Sequence, residues 1–192
     1  MFAMSTSFAT DSDDVRLEVN VSWEAFEAFL VARGEKPPRV AYLEGTLETM
    51  SPSTSHEFLR RALAMIVDEH IESIGNPWNG LGAWLMRNTT ARVGLEPDES
   101  YVFGEDDKER PDLALEVVLT SGSLKKLELY RRFGVPEVWF WKNHAFTVHV
   151  LGPAGYEQHD RSVCLPDFDF RKAVELMKLK NLHEVKLALR QR

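Results

Sequence analysis

Two carboxylates with the chemistry of a metal site lie in neighbouring stretches of the chain, LEPDESYVF and PDLALEVVL. Each stretch carries a Pro-Asp pair, ending in Asp98 and Asp112, and Glu116 lies in the middle of the second apolar run. A half-covered carboxylate in a strand costs free energy unless it is paired or binds a metal ion. Mg²⁺ is bound in proteins through carboxylate oxygens, water and substrate phosphate. These residue types therefore favour a magnesium site.

The spacing within the second stretch decides which carboxylates can share an ion. Asp112 and Glu116 point to the same face of a strand, but four residues separate their Cα atoms by roughly 13 Å. Metal–oxygen bonds are only about 2–2.5 Å long, so Glu116 needs another partner. Asp98 can lie beside it if the two strands are neighbours. The alternatives are that Glu116 lies on a solvated face and that Pro97-Asp98 is only a turn.

A lysine close to such a pair would orient the attacking water or stabilise charge that grows on a phosphate. Two lysines follow the strand on a short helix. Lys126 aligns with Tyr130 and Phe133 on the apolar side of that helix, whereas Lys125 lies on a more solvated side. Lys126 is therefore the candidate, although its stem could simply cover the core.

The elements that must position these residues follow from caps, periodicity and turn residues. Ser22 and Thr54 begin two helices, with Glu57 completing a capping box after Thr54. The helices are expected from Ser22 to Gly34, from Thr54 to Gly75, from Ser123 to Gly134 and over residues 170–192. The strands are expected in a hairpin turning at Glu44-Gly45 and in GAWLMRNTTARV, ESYVFG, PDLALEVVL, VPEVWFWKN and AFTVHVLGPAGYEQ. This order predicts an α/β (mixed α+β) fold, a mixed sheet flanked by helices.

Composition restricts the function classes. The chain has 192 residues, a net charge of −7 and one cysteine, Cys164, which excludes an internal disulfide. No apolar run is long enough to span a membrane, and no secretory signal is visible at the N-terminus, so a cytoplasmic protein without membrane contact is expected. An acidic protein that binds nucleic acid must rely on a local patch or a metal ion.

Four motifs together resemble a large bacterial family of restriction-endonuclease-like proteins within the PD-(D/E)XK nuclease superfamily. They are YLEGTLETMSP followed by a histidine, LEPDESYVFG, PDLALEVVLTSG followed by lysine and tyrosine, and GVPEVWFW. The resemblance covers about residues 40–170. It implies a restriction-endonuclease-like central mixed sheet flanked by helices and Mg²⁺-dependent phosphodiester hydrolysis. We expect residues 1–15 to be a flexible N-terminus and residues 16–192 to be a single domain of this fold.

The resemblance also assigns site residues. Asp98 matches the motif aspartate and Glu116 the acidic position 18 residues later, and both are the expected metal ligands. The usual lysine position, two residues after the glutamate, is Val118. The family instead places a lysine and a tyrosine on the following helix, which implies Lys126 as the third catalytic residue and Tyr130 as its support.

Three further residues are held as supporting candidates. Glu44 and His56 match family motifs. The alternatives are that Glu44 is only a turn residue and that His56 is a structural histidine at the start of a helix. Asp112 fits either a residue that supports the metal site or a residue at the entry of a strand.

The function expected from these residues is a Mg²⁺-dependent endonuclease that hydrolyses phosphodiester bonds in DNA, with Mn²⁺ as a possible substitute. The acidic charge and Val118 leave open a catalytically weak or inactive nuclease-fold protein that binds nucleic acid or a protein partner. A structural or regulatory dimer without a nucleic-acid role is a third alternative. Because small nucleases of this fold often need two copies to cut both strands, a homodimer is expected.

Overall fold

A computed structural model describes residues 11–75, 77–104, 108–119 and 125–191. Within these residues the chain forms five helices and eleven strands. The helices are α1 (Trp23–Arg33), α2 (Thr54–Ile74), α3 (Lys126–Phe133), α4 (Phe170–Met177) and α5 (Leu182–Arg190). The strands are β1 (Asp14–Val19), β2 (Arg39–Leu43), β3 (Thr46–Ser51), β4 (Trp78–Gly80), β5 (Met86–Asn88), β6 (Val93–Leu95), β7 (Glu99–Phe103), β8 (Leu113–Val118), β9 (Glu137–Lys142), β10 (Ala145–Gly152) and β11 (Gly155–His159).

The strands form two sheets, which confirms the mixed α+β class: the expected mixed sheet is present, and a second, antiparallel sheet accompanies it within the described residues. One sheet has five antiparallel strands in the order β1-β3-β2-β6-β5. The other has six strands in the order β11-β10-β9-β8-β7-β4, with β8 and β9 parallel. Helix α3 packs between the sheets, since its buried Leu129 and Tyr130 share a cluster with Ala41 of one sheet and Ala114 of the other.

Strand β8 is covered on both faces, which explains its nearly continuous apolar sequence. Leu113, Leu115 and Val117 pack in the core cluster that contains α2. Ala114 and Glu116 point to the opposite face, where α3 lies. The position of α3 therefore turns Glu116 from a solvated strand residue into a buried one.

The start of α2 differs from the predicted capping box. Ser53, not Thr54, is the N-cap, and its hydroxyl accepts a hydrogen bond from the backbone N–H of His56 (3.1 Å). With Ser53 as the N-cap, Glu57 lies one position beyond the residue that would complete a capping box. Its carboxylate instead binds Arg39 (2.7 Å) and Arg60 (2.9 Å). The predicted cap Ser123 of α3 lies outside the described residues.

Other boundaries also differ from the predictions. Strand β1 begins at Asp14 and pairs with β3, so the last two residues of the expected flexible N-terminus belong to the sheet; residues 1–10 lie outside the described residues. The single strand expected over residues 82–93 is interrupted by a turn between β5 and β6. The C-terminal helical segment is divided into α4 and α5. No helix among the described residues is long and apolar enough to cross a bilayer.

Candidate active site

Asp98 and Glu116 come together because β7 and β8 are antiparallel neighbours. The last ladder pair is Glu99 with Leu115, so one further step along the register places Asp98 across from Glu116. Asp98 Oδ2 accepts a hydrogen bond from the backbone N–H of Val117 (2.7 Å), which fixes the carboxylate at the end of this ladder. Both residues are buried, with 1% and 0% of their surface exposed. The neighbouring strands expected from the sequence are therefore present.

Glu116 is held by two residues of α3. The Tyr130 hydroxyl donates to Glu116 Oε1 (2.5 Å), and Lys126 Nζ donates to Oε2 (2.5 Å). Lys126 and Tyr130 are one helical turn apart, so both reach the same strand residue. Burial raises the pKa of Glu116, against the lowering effect of the Lys126 charge. The pKa of Lys126 is also raised, because Glu116 and Asp98 outweigh the opposing effect of burial.

Asp98 is surrounded by cations. Its Oδ1 forms an ion pair with Arg39 Nη1 and lies 3.1 Å from His56 Nε2. The contact with His56 is electrostatic rather than a well-aligned hydrogen bond. Burial alone would raise the pKa of Asp98, but His56, Lys126 and Arg39 lower it well below its usual value. The two carboxylates thus differ: the folded protein keeps Asp98 ionised and disfavours ionisation of Glu116.

His56 links Asp98 to a third carboxylate that the sequence did not indicate. His56 Nδ1 lies 3.0 Å from Asp13 Oδ2, and the other Asp13 oxygen accepts the backbone N–H of Ser53 (2.9 Å). The side chains of His56 and Asp13 are 1% and 4% exposed. Although burial opposes the charged imidazole, the carboxylates of Asp13 and Asp98 raise the pKa of His56 to about 9. Asp13 lay in the segment predicted to be flexible, so its role depends on β1.

We expect the stability of the protein to fall between pH 7 and pH 9.5 because of His56. A histidine whose pKa is raised on folding contributes its full stability below its unfolded pKa of about 6.5 and loses it as the pH rises through the folded value. The loss is on the order of 3 kcal/mol for this shift. Urea unfolding at several pH values checks it, and His56→Gln should remove most of this slope. An equal slope in both proteins would contradict the assignment.

Arg39 and Glu57 extend the charged network on the side of α2. Arg39 joins Asp98 to Glu57, and Arg60 joins Glu57 to Glu99 (3.1 Å). Nothing in the local sequence of Arg39 indicates a site residue. Only the pairing of β2 with β6 in space brings it close to the segment that leads from β6 to Asp98.

A cleft of about 440 Å³ opens beside Lys126. Its walls contain three lysines, three carboxylates, His56 and a group of apolar side chains. The lining residues are Asp13, Val15, Glu48, Met50, His56, Val117, Val118, Lys125, Lys126, Leu127, Glu128, Phe140 and Lys142.

Glu48 is a further acidic residue of this cleft that the sequence analysis missed. It lies on β3, is 5% exposed, and its charge raises the pKa of Lys126. The same signal that indicated Glu116, a charged residue in the middle of a strand, was present in TLETM. Val118 also lines the cleft, so Lys126 from α3 lies beside the strand position where the usual motif lysine is absent.

Two of the supporting candidates lie elsewhere. Glu44 is an exposed turn residue with φ of 49°, and it pairs with Arg132 (2.7 Å) at the far end of α3. Asp112 accepts hydrogen bonds from the Phe103 backbone N–H (2.8 Å) and from Lys108 (2.7 Å). Asp112 therefore fixes the entry to β8, the strand-entry alternative for this residue, and Glu44 takes the turn alternative. Tyr130 and His56 do contact the carboxylates.

The family model named Uma2, described as "Putative restriction endonuclease", matches residues 23–177. No curated protein matches the chain. The match covers most of the sequence and includes Asp98, Glu116 and Lys126. The resemblance seen in the motifs is confirmed, and the chain belongs to the Uma2 family of restriction-endonuclease-like proteins.

Proposed function

We propose that the protein is a Mg²⁺-dependent endonuclease that hydrolyses phosphodiester bonds in DNA. The observation that carries this proposal is the meeting of Asp98, Glu116 and Lys126 beside an open cleft. The family supports nuclease chemistry. The metal, the nucleic acid and the catalytic role of each residue are our inferences from the chemistry of this site.

The donor atoms at the site fit a Mg²⁺ ion. Asp98 and Glu116 supply carboxylate oxygens, although among the described residues no group of three His, Cys, Asp or Glu is placed to hold a metal. Mg²⁺ is commonly bound by one or two carboxylates, with waters and phosphate oxygens filling its other positions. Each oxygen of Glu116 accepts one hydrogen bond and retains a second acceptor site, and Asp98 Oδ2 has one donor, Val117 N–H. Asp98 and Glu116 would hold the ion.

The residues around the carboxylates have separate tasks in this proposal. Bound Mg²⁺ would polarise the scissile phosphate and lower the pKa of an attacking water. Arg39 and His56 keep Asp98 ionised, and Tyr130 fixes the orientation of Glu116. Lys126 places a positive charge at the cleft, where it stabilises the negative charge that develops on the phosphate.

Titration with Mg²⁺ and Mn²⁺ by calorimetry tests the proposal. We expect one saturable site in the wild type and its loss in both Glu116→Gln and Asp98→Asn, because each removes a carboxylate ligand. Circular dichroism establishes that each variant is folded. Asp112→Asn is the matched control, since Asp112 immediately precedes the strand that carries Glu116 but contacts Lys108 and Phe103. It should bind metal like the wild type.

The outcomes separate clearly. Absence of saturable binding, or binding that both variants retain, would overturn the two-carboxylate site. Binding that is lost in both variants justifies cleavage assays on plasmid DNA and on labelled oligonucleotides, in which the same two variants should be inactive. The expected homodimer stays a prediction, and light scattering with and without DNA tests it.

A specific observation favours the second candidate function, a nuclease-fold protein that binds nucleic acid without cutting it. Both oxygens of each carboxylate already interact with protein donors: Arg39, His56 and Val117 at Asp98, and Lys126 and Tyr130 at Glu116. A metal ion must compete with these contacts. Nucleic-acid binding without saturable metal binding in the calorimetric titration would favour this candidate.

A further inference from the structure

An aromatic ring lies next to the buried glutamate. Strands β8 and β9 are parallel, and Glu116 is the register partner of Phe140. Register partners in a sheet point to the same face, about 5 Å apart. Phe140 is half-buried and lines the cleft, with the His149 ring packed edge-to-face against it at 5.5 Å. A phosphate held at Lys126, which contacts Glu116, would therefore have a flat apolar side chain as its neighbour.

The rest of the cleft is both apolar and cationic. Val15, Met50, Val118 and Leu127 extend the apolar surface beyond Phe140. The cations on the lining are Lys125, Lys126 and Lys142. Two residues further along the same strands, Val118 and Lys142 are register partners. An apolar side chain and a cation therefore follow Glu116 and Phe140 towards the carboxyl ends of β8 and β9.

The acidic lining residues have partners of opposite charge. Asp13 contacts His56, and Glu128 binds Arg131 and Arg132 (2.7 Å each). Glu48 is buried, and its charge acts on Lys126. The cleft thus presents cations and an aromatic surface in a protein whose net charge is −7. This combination is typical of surfaces that bind single-stranded nucleic acid, where lysines follow the phosphates and rings stack on bases.

Stacking on Phe140 requires a base whose face is accessible. In a duplex, both faces of each base are covered by the neighbouring base pairs, so a side chain reaches them only when the base is unpaired or extruded. We infer that the cleft binds an unpaired DNA strand, with a phosphate at Lys126 and an adjacent base on Phe140. This inference rests on the proposed function for its choice of nucleic acid as ligand, and it narrows the substrate to single-stranded DNA.

Fluorescence anisotropy tests the inference without any hydrolysis. The probes are a labelled single strand of about 20 nucleotides, longer than the footprint of a small binding fold, and the blunt duplex of the same sequence. With Ca²⁺ present, we expect the single strand to bind at least roughly tenfold more tightly than the duplex. Three lysine–phosphate contacts should give a slope of log K against log salt of about −2 for the single strand.

The variant Phe140→Leu removes the ring and keeps an apolar side chain, so the fold should be preserved. We expect it to lose about tenfold in affinity for the single strand, the range of one base–aromatic stack, and to change duplex binding little. Phe133→Leu is the matched control, because Phe133 packs on the same core cluster but does not line the cleft. It should bind the single strand like the wild type.

Two results would overturn the inference. One is a duplex that binds as tightly as the single strand, and the other is an unchanged single-strand affinity in Phe140→Leu. The test is separate from that of the proposed nuclease. Binding that is selective for single-stranded DNA and depends on Phe140 supports the inference even if no saturable metal binding is found. The absence of metal binding overturns only the hydrolytic function.

Discussion

Replacing Lys126 by methionine should lower the rate of DNA cleavage by roughly 100- to 1,000-fold, the usual effect of removing one preorganised donor to a developing charge. Lys126 Nζ lies 2.5 Å from Glu116 and is the cation of α3 that contacts the carboxylate pair. Divalent-metal affinity should be unchanged or tighter, because a positive charge beside the ion is removed. Cleavage kinetics at saturating metal, together with calorimetry, separate these two effects.

The neighbouring Lys125 provides the matched control. Its side chain is exposed, although it borders the same cleft. Lys125→Met should weaken substrate binding slightly and leave the maximal rate near that of the wild type. Equal losses of the maximal rate in both variants would mean that Lys126 acts only through the general positive charge of the cleft.

Lys126→Met should also destabilise the fold by about 1.5–3 kcal/mol at neutral pH, the cost of losing a charged hydrogen bond to a buried group. The loss of folding stability caused by Lys126→Met should be smaller in acid. Burial raises the pKa of Glu116, and without Lys126 it should rise further, because the charge that lowers it is removed. A carboxyl group with a raised folded pKa is most favourable to folding below its unfolded pKa, and this stability is lost as the pH rises.

Asp98→Asn should destabilise the protein by about 3–5 kcal/mol at pH 7, which is the range found when one member of a buried ion pair is removed. The substitution leaves Arg39 and the His56 imidazolium beside a neutral amide, and Asp98 is 1% exposed. Chemical denaturation measures the loss. Asp112→Asn serves as the control, because its ion pair with Lys108 is partly exposed, and its cost should be closer to 1 kcal/mol.

The pH dependence gives the Asp98 prediction a second readout. The cations lower the pKa of Asp98, so its stabilisation is complete above the unfolded value and is lost as the pH falls through the folded value. The difference between wild type and Asp98→Asn should therefore narrow in strong acid, below pH 3.8. A difference that stays constant down to the acid transition would indicate that packing, not charge, accounts for the cost of Asp98→Asn.

Local signals in the sequence were sufficient for several features of the site. A charged residue inside an apolar strand indicated Glu116, because burial of a carboxylate requires a partner. The helical spacing of Lys126 and Tyr130 predicted that both face the strand, and both contact Glu116. The same kind of reasoning identified the ends of α1 and the turn at Glu44-Gly45.

Other features were not accessible to local reasoning. The cap of α2 was misassigned by one residue because Ser53 and Thr54 are both good caps, and only the backbone geometry selects Ser53. Strand β1 was not predicted, although its sequence DVRLEV alternates polar and apolar residues, because five of its six residues are exposed and no local pattern shows which strand it pairs with. It is a strand because β3 provides its hydrogen-bond partners.

The amino-acid sequence by itself determined which residue types could do chemistry, and the resemblance of its motifs indicated the family. It also determined that Lys126 faces a strand carboxylate, because this depends on periodicities of two and 3.6 residues. Only the tertiary structure decided the surroundings of Asp98. Asp98 contacts Arg39 of β2 and His56 of α2, and His56 in turn contacts Asp13, which precedes β1. These segments are far apart along the chain. Electrostatic energy depends on distance in space, and no local pattern records which distant cation a buried carboxylate will meet.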